Sequence, residues 1–109
     1  MKEAEAHFDN PGDHAGEMET SVMQYLYPNL VLPLEEAGDG KSAGFKLKGL
    51  KNKVAWTPRN WSKVSKDTGI GSPKLATPEK GKKCVETVTD IISEFLIELT
   101  QTDINDFYD

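Results

Sequence analysis

Apolar positions are unevenly spread along the chain, and their spacing predicts three kinds of element. Met18, Val22, Tyr25 and Leu26 fall at i, i+4, i+7 and i+8 within residues 16–27. That is one stripe of an amphipathic helix. Pro28 ends it, because the residue before a proline is driven out of the helical region. Residues 30–34 (LVLPL) form a short apolar run, which Pro33 confines to an edge strand or an extended connection. Around 45–57 the pattern changes to alternation: Phe45 and Leu47 lie opposite Lys46 and Lys48, and a second β-type run follows at 53–57. A turn at 49–52 would join the two runs in a β-hairpin near 45–57. Shorter strands are expected near Ala6–Phe8 and Trp61–Val64.

The strongest periodicity comes last. Val85, Val88, Ile92, Phe95 and Leu99 recur at steps of three and four, and Cys84, Ile91 and Leu96 broaden the stripe. Thr77 is a good N-cap and Pro78 suits the first helical position. A helix over 78–101 follows, about 36 Å long at about 1.5 Å per residue. Its opposite side carries Lys82, Glu86, Asp90 and Glu94. Such a helix needs a sheet or a second helix beneath it. Helices and strands in this order predict an α/β chain forming a single domain over residues 1–109.

The chain is 37% hydrophobic, against a usual value of about 45–50%. Only a modest core is therefore expected, and a partner to cover leftover apolar faces. Thirteen basic residues against 18 acidic ones give a formal charge of −5. That argues against nucleic acid and anionic membrane as partners, since both require a net basic surface. The single cysteine, Cys84, permits no disulfide within the chain and no four-cysteine metal site. With no apolar leader and no run of about 18 apolar residues, a soluble cytoplasmic protein is expected.

Ionisable chemistry concentrates at Asp13-His14-Ala15-Gly16-Glu17-Met18-Glu19-Thr20-Ser21, after the turn Asn10-Pro11-Gly12. A helix start presents free N–H groups that suit anions. At about 100° per residue, Glu17 and Glu19 lie roughly 200° apart and cannot face one site. His14 and Glu19, five residues apart, are also out of phase, and meet only if Ala15-Gly16 bends the chain. Spacing alone leaves open a plain reading, in which Asp13 caps the helix, His14 lies on the surface and both glutamates serve the helix dipole. The segment Gly38-Asp39-Gly40-Lys41-Ser42 lacks the gap and the strand–helix context of a phosphate loop.

The first string resembles the His-Ala-Gly-x-x-Glu-Thr-Ser signature of the creatininase family. A second, from Gly69-Ile70-Gly71-Ser72-Pro73 through Ala76-Thr77-Pro78-Glu79-Lys80-Gly81, is similar to that family's glycine–proline loop and its Ala-Thr-x-Glu-Lys-Gly helix start. The resemblance implies part of a three-layer α/β/α sandwich and a two-metal site, of zinc or manganese, that cleaves C–N bonds of cyclic or linear amides. It implies His14 as a proton shuttle and Glu19 as a catalytic residue and candidate metal ligand. Asp13 would line the substrate pocket, and Glu17 falls at a variable position. The family's other ligands come from an N-terminal half, in a Glu-x-His motif and an Asn-Gly-His segment, and no Asn-Gly-His occurs in these 109 residues. The expectation is a C-terminal fragment or subunit that cannot fill a two-metal cluster with His14 and Glu19 alone and is inactive by itself, partnered by a missing N-terminal half or by further copies of itself. The alternative is a non-catalytic binding or oligomerisation module derived from the same fold.

Overall fold

The computed structural model describes residues 2–109. Its elements are helical: α1 (Lys2–Glu5), α2 (Glu17–Leu26), α3 (Lys48–Lys51), α4 (Trp61–Val64) and α5 (Pro78–Gln101), with 3₁₀ turns at Pro28–Leu30 and Leu34–Glu36. Both helices expected from periodicity are present, and α5 has the expected limits. The Thr77 hydroxyl accepts a hydrogen bond from the Lys80 amide at 3.2 Å, and Pro78 follows it. At its far end the Thr102 hydroxyl donates to the Glu98 carbonyl at 2.8 Å, satisfying one orphan acceptor of the last turn.

No strand forms among the described residues. The expected hairpin at 45–57 is instead the helical turn α3, where the amides of Leu50 and Lys51 donate to the Leu47 carbonyl at 3.1 and 3.0 Å. Lys53 follows with φ +56°. The physical reason lies in burial. Leu47, Val54 and Trp56 all stay exposed, Trp56 at 84%, so pairing two strands here would cover no apolar face. An isolated two-stranded ribbon is marginal in water, and local i to i+3 and i+4 bonds win. The run at 30–34 breaks into the two 3₁₀ turns around Pro33, and 61–64 is α4. Near Ala6–Phe8 the chain continues α1 as a turn, with the Phe8 amide donating to the Glu5 carbonyl at 3.1 Å. The sheet layer of the expected sandwich is therefore not found among the described residues.

The centre of the fold is the crossing of α2 on α5. Ala4, Phe8 and Cys84 are buried there, with Met18, Val22 and Val88 packed against them. Gly81 sits at the point of closest approach, where an added Cβ would overlap the Ser21 carbonyl. Ser21 is fully buried, and its hydroxyl accepts a hydrogen bond from the Thr77 amide at 3.1 Å. The molecule measures 49 × 39 × 21 Å, about two helix diameters thick, so few side chains can be covered on every side. The outer half of α5 has no cover: Ile92, Phe95, Leu96 and Ile97 are exposed, Phe95 at 58%.

Candidate functional site

Two distant loops are zipped together to form the site. The amides of Asp13 and His14 donate to the Ile70 carbonyl at 2.8 and 3.1 Å, and the Ile70 amide returns a bond to the His14 carbonyl at 2.8 Å. This antiparallel bridge joins the first sequence string to the second. It requires Gly12 and Gly71, which have φ of +80° and +101°. A Cβ on Gly71 would come within 2.7 Å of the Gly12 Cα.

Beyond the bridge, Ala15 adopts φ +49°, a left-handed conformation that costs an L-residue about 1 kcal/mol. That kink resolves the phase problem between His14 and Glu19. It turns the Ala15 amide towards the Glu19 carboxylate, which accepts its hydrogen bond at 2.6 Å on Oε2. The same Oε2 lies 3.7 Å from His14 Nδ1. The Thr20 hydroxyl donates back to the Ala15 carbonyl at 3.3 Å and closes the turn. Both His14 and Glu19 are about half exposed. Gly16, not Asp13, occupies the N-cap position of α2, with no side-chain cap.

Asp13 is engaged elsewhere. Its Oδ1 accepts a hydrogen bond from Arg59 Nη2 at 2.9 Å. The Arg59 guanidinium lies 4.7 Å from the Trp61 ring, and that ring lies 5.0 Å from the His14 imidazole at 52°. Arg59 and Trp61 were not legible as site residues. They arrive from the start of α4, 46 residues from Asp13, in a segment with no periodic pattern.

Glu17 points the other way, as its helical phase relative to Glu19 requires. It is 1% exposed. Its Oε2 accepts the Asn10 amide at 2.8 Å, and its Oε1 pairs with Lys80 Nζ. Lys80 also donates to Asp9 Oδ2 at 2.9 Å and to the Leu75 carbonyl at 3.1 Å. Burial pushes the Glu17 carboxyl up, but the Lys80 ammonium and the amides of Asn10 and Asp9 outweigh it and hold Glu17 below the usual range. Asp9 is lowered by its bond to Lys80. Lys80 is raised by Glu17 first and Asp9 second. This pair ties the loop before α2 to the first turn of α5.

Between α1, α2 and α5 lies an open apolar groove of about 510 Å³, lined by Ala4, Met18, Val22, Met23, Cys84 and Val88, with Glu5 and Glu19 beside them. Burial pushes the Cys84 thiol up, which disfavours the thiolate that a cysteine nucleophile needs.

The donor set does not fit a metal by itself. Among the described residues no three His, Cys, Asp or Glu side chains converge, whereas a catalytic zinc takes three protein ligands. His14 and Glu19 converge alone, and Asp13 is committed to Arg59. A carboxylate beside an imidazole can still hold and pass a proton.

The family model for creatinine amidohydrolase matches residues 1–96, and so spans both strings and the α2–α5 crossing. The chain belongs to the creatininase family. Among solved structures, a candidate creatinine amidohydrolase from Bacteroides fragilis is similar at 43% identity and a TM-score of 0.83. The match covers 96% of this chain and 40% of that one, so the chain spans less than half the length of its structural relative. A comparison with curated proteins finds no match. No described helix is long and apolar enough to cross a membrane.

Proposed function

We propose that this chain supplies the proton-handling part of a creatininase-type amidohydrolase centre, acting on C–N bonds of a small cyclic or linear amide. The observation that carries this reading is the convergence of His14 and Glu19 at 3.7 Å through the kinked Ala15, inside the family's signature string. The imidazole serves as the proton carrier, its nitrogens suited to neutral pH work. Glu19 lies beside it and stands as one candidate ligand of a divalent metal, zinc or manganese. Asp13, fixed by Arg59, lines the substrate side. The remaining metal ligands, and the sheet of the α/β/α sandwich, belong to residues outside these 109.

Accordingly, the chain alone is inactive. Assays of the purified protein with zinc or manganese should show no turnover of creatinine or of a formamide. Detectable turnover that His14→Asn abolishes would contradict this. Joined to the remaining part of an active creatininase-family member, the chain should restore hydrolysis. His14→Asn should then lower kcat about 10²-fold or more, the usual contribution of a positioned acid–base group. An unchanged kcat would remove His14 from the proton path.

The alternative, a non-catalytic assembly module, draws support from the apolar groove and the uncovered outer half of α5. Either reading calls for a partner, because exposed apolar area of this extent drives association. Light scattering at micromolar concentration should give a dimer or larger species. A monomer would count against further copies of the chain as the partner.

A further inference from the structure

Among the described residues, no hydrogen bond holds the His14 ring in place. Its separation from Glu19, 3.7 Å, is longer than a hydrogen bond, and that oxygen already accepts the Ala15 amide at 2.6 Å. The terminal torsion of a histidine is intrinsically broad, so a half-exposed imidazole in this setting would turn freely unless something packs against it. Among the described residues, the Trp61 ring is the aromatic group that packs against it, 5.0 Å away and tilted by 52°. Trp61 is itself partly exposed on a helix of four residues, and needs its own restraint. Arg59 provides that restraint, with its guanidinium 4.7 Å from the indole and bonded to Asp13 at 2.9 Å. Asp13 is pinned by its amide to Ile70, and its next residue is His14. The contacts therefore close a circuit: Asp13 to Arg59, to Trp61, to His14, and back through one peptide bond. The base of α4 is fixed by the Ala43 amide on the Val64 carbonyl at 2.8 Å and by the Ser65 hydroxyl on the Gly69 carbonyl at 2.8 Å.

We propose that Trp61, clamped by Arg59, is a positioning residue that fixes the plane of the His14 imidazole. Nδ1 is thereby kept towards Glu19, and Nε2 is the nitrogen open to substrate. For its catalytic consequence this rests on His14 being the proton carrier, but the positioning can be read without any turnover.

The test is NMR of the histidine ring signals in the full 109-residue chain. Trp61 should displace the His14 ring protons from solvated values through its ring current, with cross-relaxation between the two rings. Trp61→Phe should keep most of the displacement. Trp61→Ala should abolish it, and Arg59→Gln should weaken the cross-relaxation. His7, bonded to Thr87 at 3.0 Å in another part of the fold, should not move in any variant. An unchanged His14 in Trp61→Ala, or a Trp61→Phe variant that behaves like Trp61→Ala, overturns the proposal. If Trp61→Ala also moves His7, the fold has changed, and Arg59→Gln decides: undiminished cross-relaxation there overturns the clamp. Failure of amide hydrolysis in the joined enzyme would sink the proposed function and leave these signals as they are.

Discussion

Gly81→Ala lowers the midpoint of thermal unfolding by about 10 °C, although alanine is the better helix former. Two effects of opposite sign compete at this position. Helix propensity favours alanine over glycine by about 1 kcal/mol. Against it stands the crossing of α2, where the new Cβ would overlap the Ser21 carbonyl and crowd the Val22 amide nitrogen. These are backbone atoms in the middle of a helix, and they cannot step aside as a side-chain end can. The helices must separate, which exposes Cys84, Val22 and the buried Ser21 hydroxyl. Overpacking costs about 1–3 kcal/mol, and a clash with helix backbone stands at the upper end, so the net loss is about 2 kcal/mol. At about 4–8 °C per kcal/mol for a domain near this size, circular dichroism should register the fall readily. Gly49→Ala is the control, because nothing lies within 4 Å of the position. Its midpoint should stay level or rise slightly. A Gly81→Ala midpoint at or above the parent's would mean that the helices do not cross at this residue.

The second large effect is expected from Lys80→Met, and its diagnostic is the dependence on pH. The variant leaves the Glu17 carboxylate buried without its ammonium partner. Removing one member of a buried pair typically costs about 3 kcal/mol or more, about 15 °C at neutral pH on the same scale. In the parent, Glu17 and Asp9 are held below their ordinary values of 4.5 and 3.8. A depressed carboxyl contributes stability that is present above its unfolded pKa and is lost as pH falls through the folded one. The parent should therefore hold its midpoint from pH 7 to about 5 and lose it below 4.5. In Lys80→Met, burial, the largest influence on Glu17, is opposed only by the amides of Asn10 and Asp9, so the carboxyl rises relative to the parent and the midpoint should fall less as pH drops below 4.5. Adding Glu17→Gln to the variant should recover much of the loss and remove that slope. A variant with the parent's pH profile would show that Lys80 does not neutralise Glu17.

What the sequence revealed depended on whether local order or distant contact decided each feature. The limits of α5 were readable because Thr77 and Pro78 act within one turn and the apolar stripe repeats for 24 residues. The cover of that stripe was not readable. A helix of 10 residues such as α2 is about 15 Å long, less than half of α5, so Ile92, Phe95 and Leu99 stay exposed. The alternation at 45–57 misled for a related reason: period two signals a strand only where one face finds something to pack on. In the site, the opposition of Glu17 and Glu19 followed from helical phase, and the meeting of His14 with Glu19 was foreseen only on condition of a bend. Ala15 makes that bend without the glycine that would have announced it. Arg59 and Trp61 left no signal, because their place is set by the Ile70 bridge and the loop that follows α4.

The union of the two strings at the Ile70 bridge and the α2–α5 crossing bears on how such signatures are used to infer activity. Ser21, Thr77, Lys80 and Gly81 all lie within the strings, and each acts as a fastener between them. Only His14 and Glu19 carry reactive groups turned towards each other. A pattern search keyed to these strings therefore detects the joint more than the reaction. A protein could retain every fastener, be retrieved with full score, and have exchanged the two reactive side chains for inert ones.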